Sequence, residues 1–160
     1  MSPAWSGTLV LGIGNRLRSD DGVGPRVADR LAAAGVAAAE HSGEGAGLMA
    51  AWEGAERVVL VDATRSGAAP GTLVRLDATA QALPRDLLRC SSHLFGVAEA
   101  VETARALNRL PPVLIVYGIE GGRFDFGESL TPAVAAAAGE AARRIAGELG
   151  VVLTPEPGPA

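Results

Sequence analysis

"LVLGIGNRLRSDDGVGPRV", residues 9–27, begins as a run of aliphatic residues and then fills with glycines, Asn15 and two adjacent acids, Asp20 and Asp21. The apolar run 8–14, ended by glycine, reads as a buried β-strand. After Gly22, Val23, Val27 and Leu31 recur at helical spacing until Gly35 stops the pattern. A strand, a glycine loop and a helix in that order open an α/β unit.

The rest of the chain repeats this alternation. "VAAAEHS" is a weak second strand, 46–55 a short helix, and "RVVLVDA" (57–63) a core strand that carries Asp62 near its end. Residues 72–77 follow too closely for a parallel crossover and are expected to run antiparallel or at an edge. "SSHLFGVAEAVETARAL" reads as a helix capped by Ser91 or Ser92, and 111–121 as the third core strand. The last helix takes Thr131 as N-cap, Pro132 as its first residue and Gly150 as its stop. The expectation is a three-layer α/β/α sandwich on a mostly parallel twisted sheet of about five strands, one of them antiparallel. It forms a single domain over 1–153, followed by a disordered tail, 154–160.

Composition narrows the function. The chain has 160 residues, 48% of them hydrophobic and 20% charged, with aromatics at 4%. That suits a globular domain whose helices pack closely through alanine. A net charge of −4 argues against a broad nucleic-acid surface. No apolar stretch approaches the roughly 20 residues that span a bilayer. The start, "MSPAWSG", lacks the features of a signal peptide, and one cysteine, Cys90, permits no internal disulfide. A cytoplasmic protein without membrane or nucleic-acid partners is the consistent expectation.

The glycine loop resembles a dinucleotide fingerprint only in outline. Gly12 and Gly14 are present, but Leu17 stands where the third glycine belongs, and two acids occupy the place of a phosphate. No Gly-Lys-Ser/Thr follows, so no nucleotide is expected. Acids ahead of a helix also complement its dipole, so one of Asp20 and Asp21 is free to cap while the other faces a cleft. Asp62 reads equally as a turn residue, His93 as a surface histidine, and His41 has no acid pattern around it. Taken together, however, two carboxylates at strand ends and a histidine at a helix start make an open O, O, N ligand set for a transition metal. Ligands of α/β sheets bind at those strand ends. Cys90, Ser91, Ser92 and His93 are neighbours in the chain, which seldom gives a nucleophile–base dyad, and no Gly-x-Ser-x-Gly elbow exists.

The first motif resembles the signature of the hydrogenase maturation endopeptidases, in which Gly-x-Gly-Asn precedes a loop, an acidic pair and a glycine. The resemblance runs through "RVVLVDATRSGAAPGTLVRL", "SSHLFGVAEAVETARAL" and "VLIVYGIEG…FGESLTPAV", over roughly residues 8–145 in the same order. It implies an endopeptidase that removes a C-terminal extension from the large-subunit precursor of a nickel–iron hydrogenase after nickel insertion. The nickel arrives with the substrate and is recognised by an acid, an aspartate and a histidine, here Asp21, Asp62 and His93. These implied metal contacts are the catalytic set, while Gly12, Gly14, Asn15 and Glu44 shape the cleft. A protease without a serine or cysteine nucleophile must activate water through a metal or carboxylates. One departure stands out: "HSGEGAG" replaces the Asp-Gly-Gly-Thr of many members, with Ser42 in the place of the aspartate. The rivals are a non-catalytic nickel-binding or carrier protein using the same residues, and a nucleotide-binding module.

Overall fold

The computed structural model describes residues 5–84 and 95–155. The elements follow in the expected order: β1 (Thr8–Ile13), a 3-10 turn (Ser19–Gly22), α1 (Val23–Ala33), β2 (Ala37–His41), α2 (Gly45–Trp52), β3 (Arg57–Thr64), β4 (Leu73–Asp77), α3 (Val97–Ala106), β5 (Val113–Glu120) and α4 (Pro132–Leu149). They form one five-stranded sheet in the order β2-β1-β3-β5-β4. All neighbours are parallel except the edge strand β4, which runs antiparallel to β5. The expected fold class is thereby established. β1 leads outward to β2 on one side while β3 lies on its other side, so the strand order reverses between β1 and β3. Ligand crevices of such sheets open at that point, beyond the carboxyl ends of the strands.

The central strands are buried on both faces, which is why they are continuous aliphatic runs. On β3, Val59, Val61 and Ala63 face a cluster built with α1 and α4, whereas Val58 and Leu60 face one built with α2 and α3. Alanines 137, 138, 141, 142 and 146 of α4 lie buried against the sheet, the close small-residue packing that the composition predicts. Two glycines bring α1 down onto the strands. A Cβ on Gly24 would lie 2.4 Å from the carbonyl oxygens of Ile13 and Val61, and one on Gly12 would lie 2.2 Å from that of Gly24. The space over Gly12 is therefore filled by the start of α1.

Several boundaries move. α2 runs from Gly45 to Trp52 rather than 46–55. α3 is capped at Gly96 rather than at a serine: Glu99 reaches back to accept the Gly96 N–H at 3.2 Å, closing the helix start there. Ser91 and Ser92 lie outside the described residues, as do Cys90 and His93. α4 starts at Pro132 after Thr131 and ends at Gly150 in the left-handed conformation, as read. Of the tail expected to be disordered, 156–160 lie outside the described residues. Among those described, no helix is long and apolar enough to cross a membrane.

Candidate active site

Asp62 lies within β3, two residues before its end at Thr64. The strand continues because Asp62, Ala63 and Thr64 still pair in register with Gly118, Ile119 and Glu120 of β5. Alternation with Val58 and Leu60 turns the Asp62 side chain to the α2/α3 face. Its Oδ1 accepts the Ala63 N–H at 2.8 Å. Its Oδ2 is the only buried side-chain nitrogen or oxygen among the described residues without a hydrogen-bond partner. A buried carboxylate in that state is costly to ionise. Burial, and then the nearby charge of Asp21, push the Asp62 carboxyl well above the ordinary aspartate range.

Asp21 comes to the same place from the 3-10 turn after β1. Gly14 has φ +141°, and a Cβ there would lie 1.9 Å from the Asp21 carbonyl oxygen; its absence lets the turn fold back over the strand end. The Asp21 carboxylate is buried and accepts the Asn15 N–H at 2.9 Å. Desolvation raises its pKa, against smaller lowering effects of the Asn15 bond and the Arg18 charge. Asn15 holds the loop in turn, its Oδ1 accepting the Leu17 N–H at 2.9 Å. The structure thus joins two of the three expected site acids and bases, Asp21 and Asp62. His93 lies outside the described residues. Phe95, two residues further on, lies against the start of α2, where its carbonyl accepts the Gly45 N–H at 2.8 Å. Among the described residues no group of three His, Cys, Asp or Glu forms a metal site.

Asp20 takes a different part from the one its position suggests. It stands in the first turn of the 3-10 segment, but its fully buried carboxylate reaches across to the loop after β5. Oδ2 accepts the N–H groups of Gly122 (2.9 Å) and Arg123 (3.0 Å) and the Thr131 hydroxyl (2.8 Å), while Oδ1 accepts the Thr131 N–H at 2.8 Å. It therefore closes the N-terminus of α4 from outside that helix. Glu120, which sequence reasoning passed over, does the same for the loop after β3. It accepts from Thr64 Oγ1, from the N–H and Oγ of Ser66 and from the Gly67 N–H. Burial alone would raise the Glu120 pKa, but these bonds outweigh it and lower it. The available cue was an acid ending the apolar run "VLIVYGIE", the same cue that marked Asp62.

Comparison with known proteins bears on what such a site does. A family model described as hydrogenase maturation protease matches residues 42–148. The hydrogenase expression/formation protein HupD of Rhodobacter capsulatus is 33% identical over 133 residues, 79% of this chain.

The chain belongs to the hydrogenase maturation protease family.

Its folded relatives agree. The NiFe hydrogenase maturation protease HybD from Thermococcus kodakarensis is 28% identical with a TM-score of 0.72, over 89% of this chain and 97% of that one. The hydrogenase maturating endopeptidase HybD from E. coli is 25% identical with a TM-score of 0.74, over 93% and 97%. The match spans 63% of the length of the Rhodobacter HupD and 60% of that of its Thiocapsa roseopersicina counterpart. In this family member the variant segment "HSGEGAG" has a defined local use. Glu44 is the N-cap of α2, its carboxylate accepting the N–H groups of Ala46 and Gly47, both at 2.8 Å. Ser42 Oγ accepts the Glu44 N–H at 3.3 Å. Loss of a side-chain cap costs about 1 kcal/mol, so Glu44→Ala is expected to lower Tm by roughly 2–4 °C, measured by calorimetry.

Proposed function

We propose that this chain is the endopeptidase that removes the C-terminal extension from the large-subunit precursor of a nickel–iron hydrogenase once nickel has been inserted. In this reading Asp21, Asp62 and His93 meet the nickel that the precursor carries, and the enzyme holds no metal of its own. The observation that supports it most is the unpartnered, buried Oδ2 of Asp62 beside Asp21 at the point where strand order reverses. Two desolvated carboxylates repel one another, and an arriving cation relieves both the repulsion and the missing partner. The cleft is therefore best filled by a substrate bearing a metal, which makes cleavage conditional on nickel loading.

The chemistry divides among the chain's own groups. A carboxyl with a raised pKa holds a proton more readily than an ordinary aspartate and suits general acid–base work on water. Asp62 and Asp21 share that role, Asn15 fixes the orientation of Asp21, and the precursor's nickel polarises the scissile region. Neither a serine nor a cysteine is required, so the activity is carboxylate-dependent. Action in the cytoplasm fits the single cysteine.

Purified protein is to be incubated with nickel-loaded and nickel-free precursor, and the shortened subunit followed by mass spectrometry. Only the loaded form is expected to be cut, and equal processing of both sinks the nickel checkpoint. A carrier protein would instead bind nickel tightly by itself and leave either precursor intact.

A further inference from the structure

The exposed large apolar side chains among the described residues are Leu17, Phe95, Leu107, Val113, Phe126 and Val152. Two of them, Leu17 and Phe126, immediately precede the bridged residues Arg18 and Gly127, on the loops that follow β1 and β5. Phe126 is 82% exposed, on the loop that follows β5. Phe124, two residues earlier, has its ring accounted for: it packs on Gly121, and the Arg65 guanidinium stacks 4.8 Å from its centre. The ring of Phe126 has no comparable use in the fold.

Nor is that loop loose. Gly127 N–H donates to Leu17 O at 2.8 Å, and Ser19 N–H donates to Gly127 O at 2.7 Å. The Ser19 hydroxyl donates to Asp125 O at 2.9 Å and Arg26 to Glu128 O at 2.7 Å. Arg18 and Gly127 pair as an isolated parallel bridge. β1 and β5 flank β3, so this bridge between their following loops passes over the end of the strand that bears Asp62. It fixes Phe126 beside Leu17, which is 46% exposed. Arg18, between Leu17 and Ser19, makes no side-chain hydrogen bond to another described residue, although its charge acts on Asp21. A rigidly held aromatic, a neighbouring aliphatic and a cation without a side-chain hydrogen bond among the described residues form the kind of anchor that carries binding energy at interfaces.

We propose that Leu17, Arg18 and Phe126 are the docking edge for the substrate polypeptide. Phe126 and Leu17 seat a bulky apolar side chain next to the scissile bond, and Arg18 receives a carboxylate of the same segment. The edge adjoins the acid pair: Leu17 N–H bonds Asn15, whose own N–H bonds Asp21, and the Arg18 charge acts on Asp21. That continuity selects the substrate over a second copy of this chain. The inference rests on the endopeptidase reading and names how that site holds its substrate.

The test uses the full chain and the nickel-loaded precursor. Phe126→Ser and Leu17→Ser alter exposed positions and leave the circular dichroism spectrum unchanged. Phe126→Ser is expected to raise KM about tenfold with kcat falling less than twofold, and Leu17→Ser to raise KM by a smaller factor. In the inactive Asp62→Asn background, Phe126→Ser raises the Kd for the precursor in calorimetry by the same factor. Leu107→Ser, an exposed apolar change at the opposite end of the sheet, changes neither quantity. A KM and Kd within twofold of the parent for Phe126→Ser overturn the docking edge while cleavage by the parent still stands. An uncut precursor whose Kd still depends on Phe126 overturns the endopeptidase reading and leaves the edge in place. A concentration-dependent dimer abolished by Phe126→Ser assigns the surface to a second copy and overturns the proposal.

Discussion

Asp62→Asn is expected to lower precursor cleavage by about 10³-fold while making the metal-free protein more stable at neutral pH. The two effects have one cause. Asp62 is buried with Oδ2 unpartnered and Asp21 nearby, so its ionised form is penalised in the fold. A carboxyl whose folded pKa lies above its unfolded value contributes stability that is complete only while it stays protonated in both states. That contribution is fully present below the ordinary value of 3.8. It erodes as pH climbs above it, and is lost once pH passes the folded value. The asparagine keeps the acceptor for Ala63 N–H without a charge to desolvate. Wild type and variant should therefore melt together in acid and separate as pH rises. The variant lies higher at neutral pH, by roughly 2–4 °C for each kcal/mol relieved. Calorimetric Tm against pH, in the presence of a chelator, measures the separation. A variant less stable than wild type at neutral pH contradicts the argument.

Asp20→Ala is expected to do the opposite. It removes a buried acceptor that serves four donors, the N–H groups of Gly122, Arg123 and Thr131 and the Thr131 hydroxyl, all in part-buried bonds. Losing the charged acceptor of these part-buried bonds costs about 3 kcal/mol in total, or roughly 10 °C in Tm for a domain of this size. The loss should be local before it is global. Amide exchange at Gly122 and Arg123 should speed up more than in the sheet, because both N–H groups lose their acceptor while the backbone bonds of Ser19 and Leu17 with Gly127 remain. Asp20→Asn keeps one oxygen for the three donors on Oδ2 and loses only the Thr131 N–H, so a markedly smaller drop is expected. Equal Tm losses for the two variants would show that the hydrogen bonds are not what Asp20 contributes.

The two neighbouring acids thus serve opposed ends, and their spelling, "SDDG", does not distinguish them. Sequence reading assigned the cleft to Asp21 and the helix start to Asp20. The first assignment agrees with the pairing of Asp21 and Asp62 in space. The second misses the target of the side chain, because Asp20 closes α4 and not α1. Its partners stand 102 to 111 residues away, and no spacing rule reaches that far. Glu44 shows the reverse: an acid directly ahead of a short helix is a local cap, visible in principle from "SGEGAG" alone.

What the sequence determined by itself is the alternation of strands and helices, the antiparallel edge strand and the limits of α4. It also marked Asp21 and Asp62 as candidates. Each of these follows from short-range rules: aliphatic runs for doubly buried strands, helical periodicity, a connection too short for a crossover, and Pro132 and Gly150 at helix ends. The tertiary structure alone decided that Asp62 lies inside β3 with an oxygen left without a partner, that Asp20 bolts two loops together, and that Phe126 stays in water. Those outcomes depend on which strands become neighbours. Register between β3 and β5 and the bridge from Arg18 to Gly127 are set by packing of the whole sheet, so burial and partner choice emerge only after the chain has closed on itself.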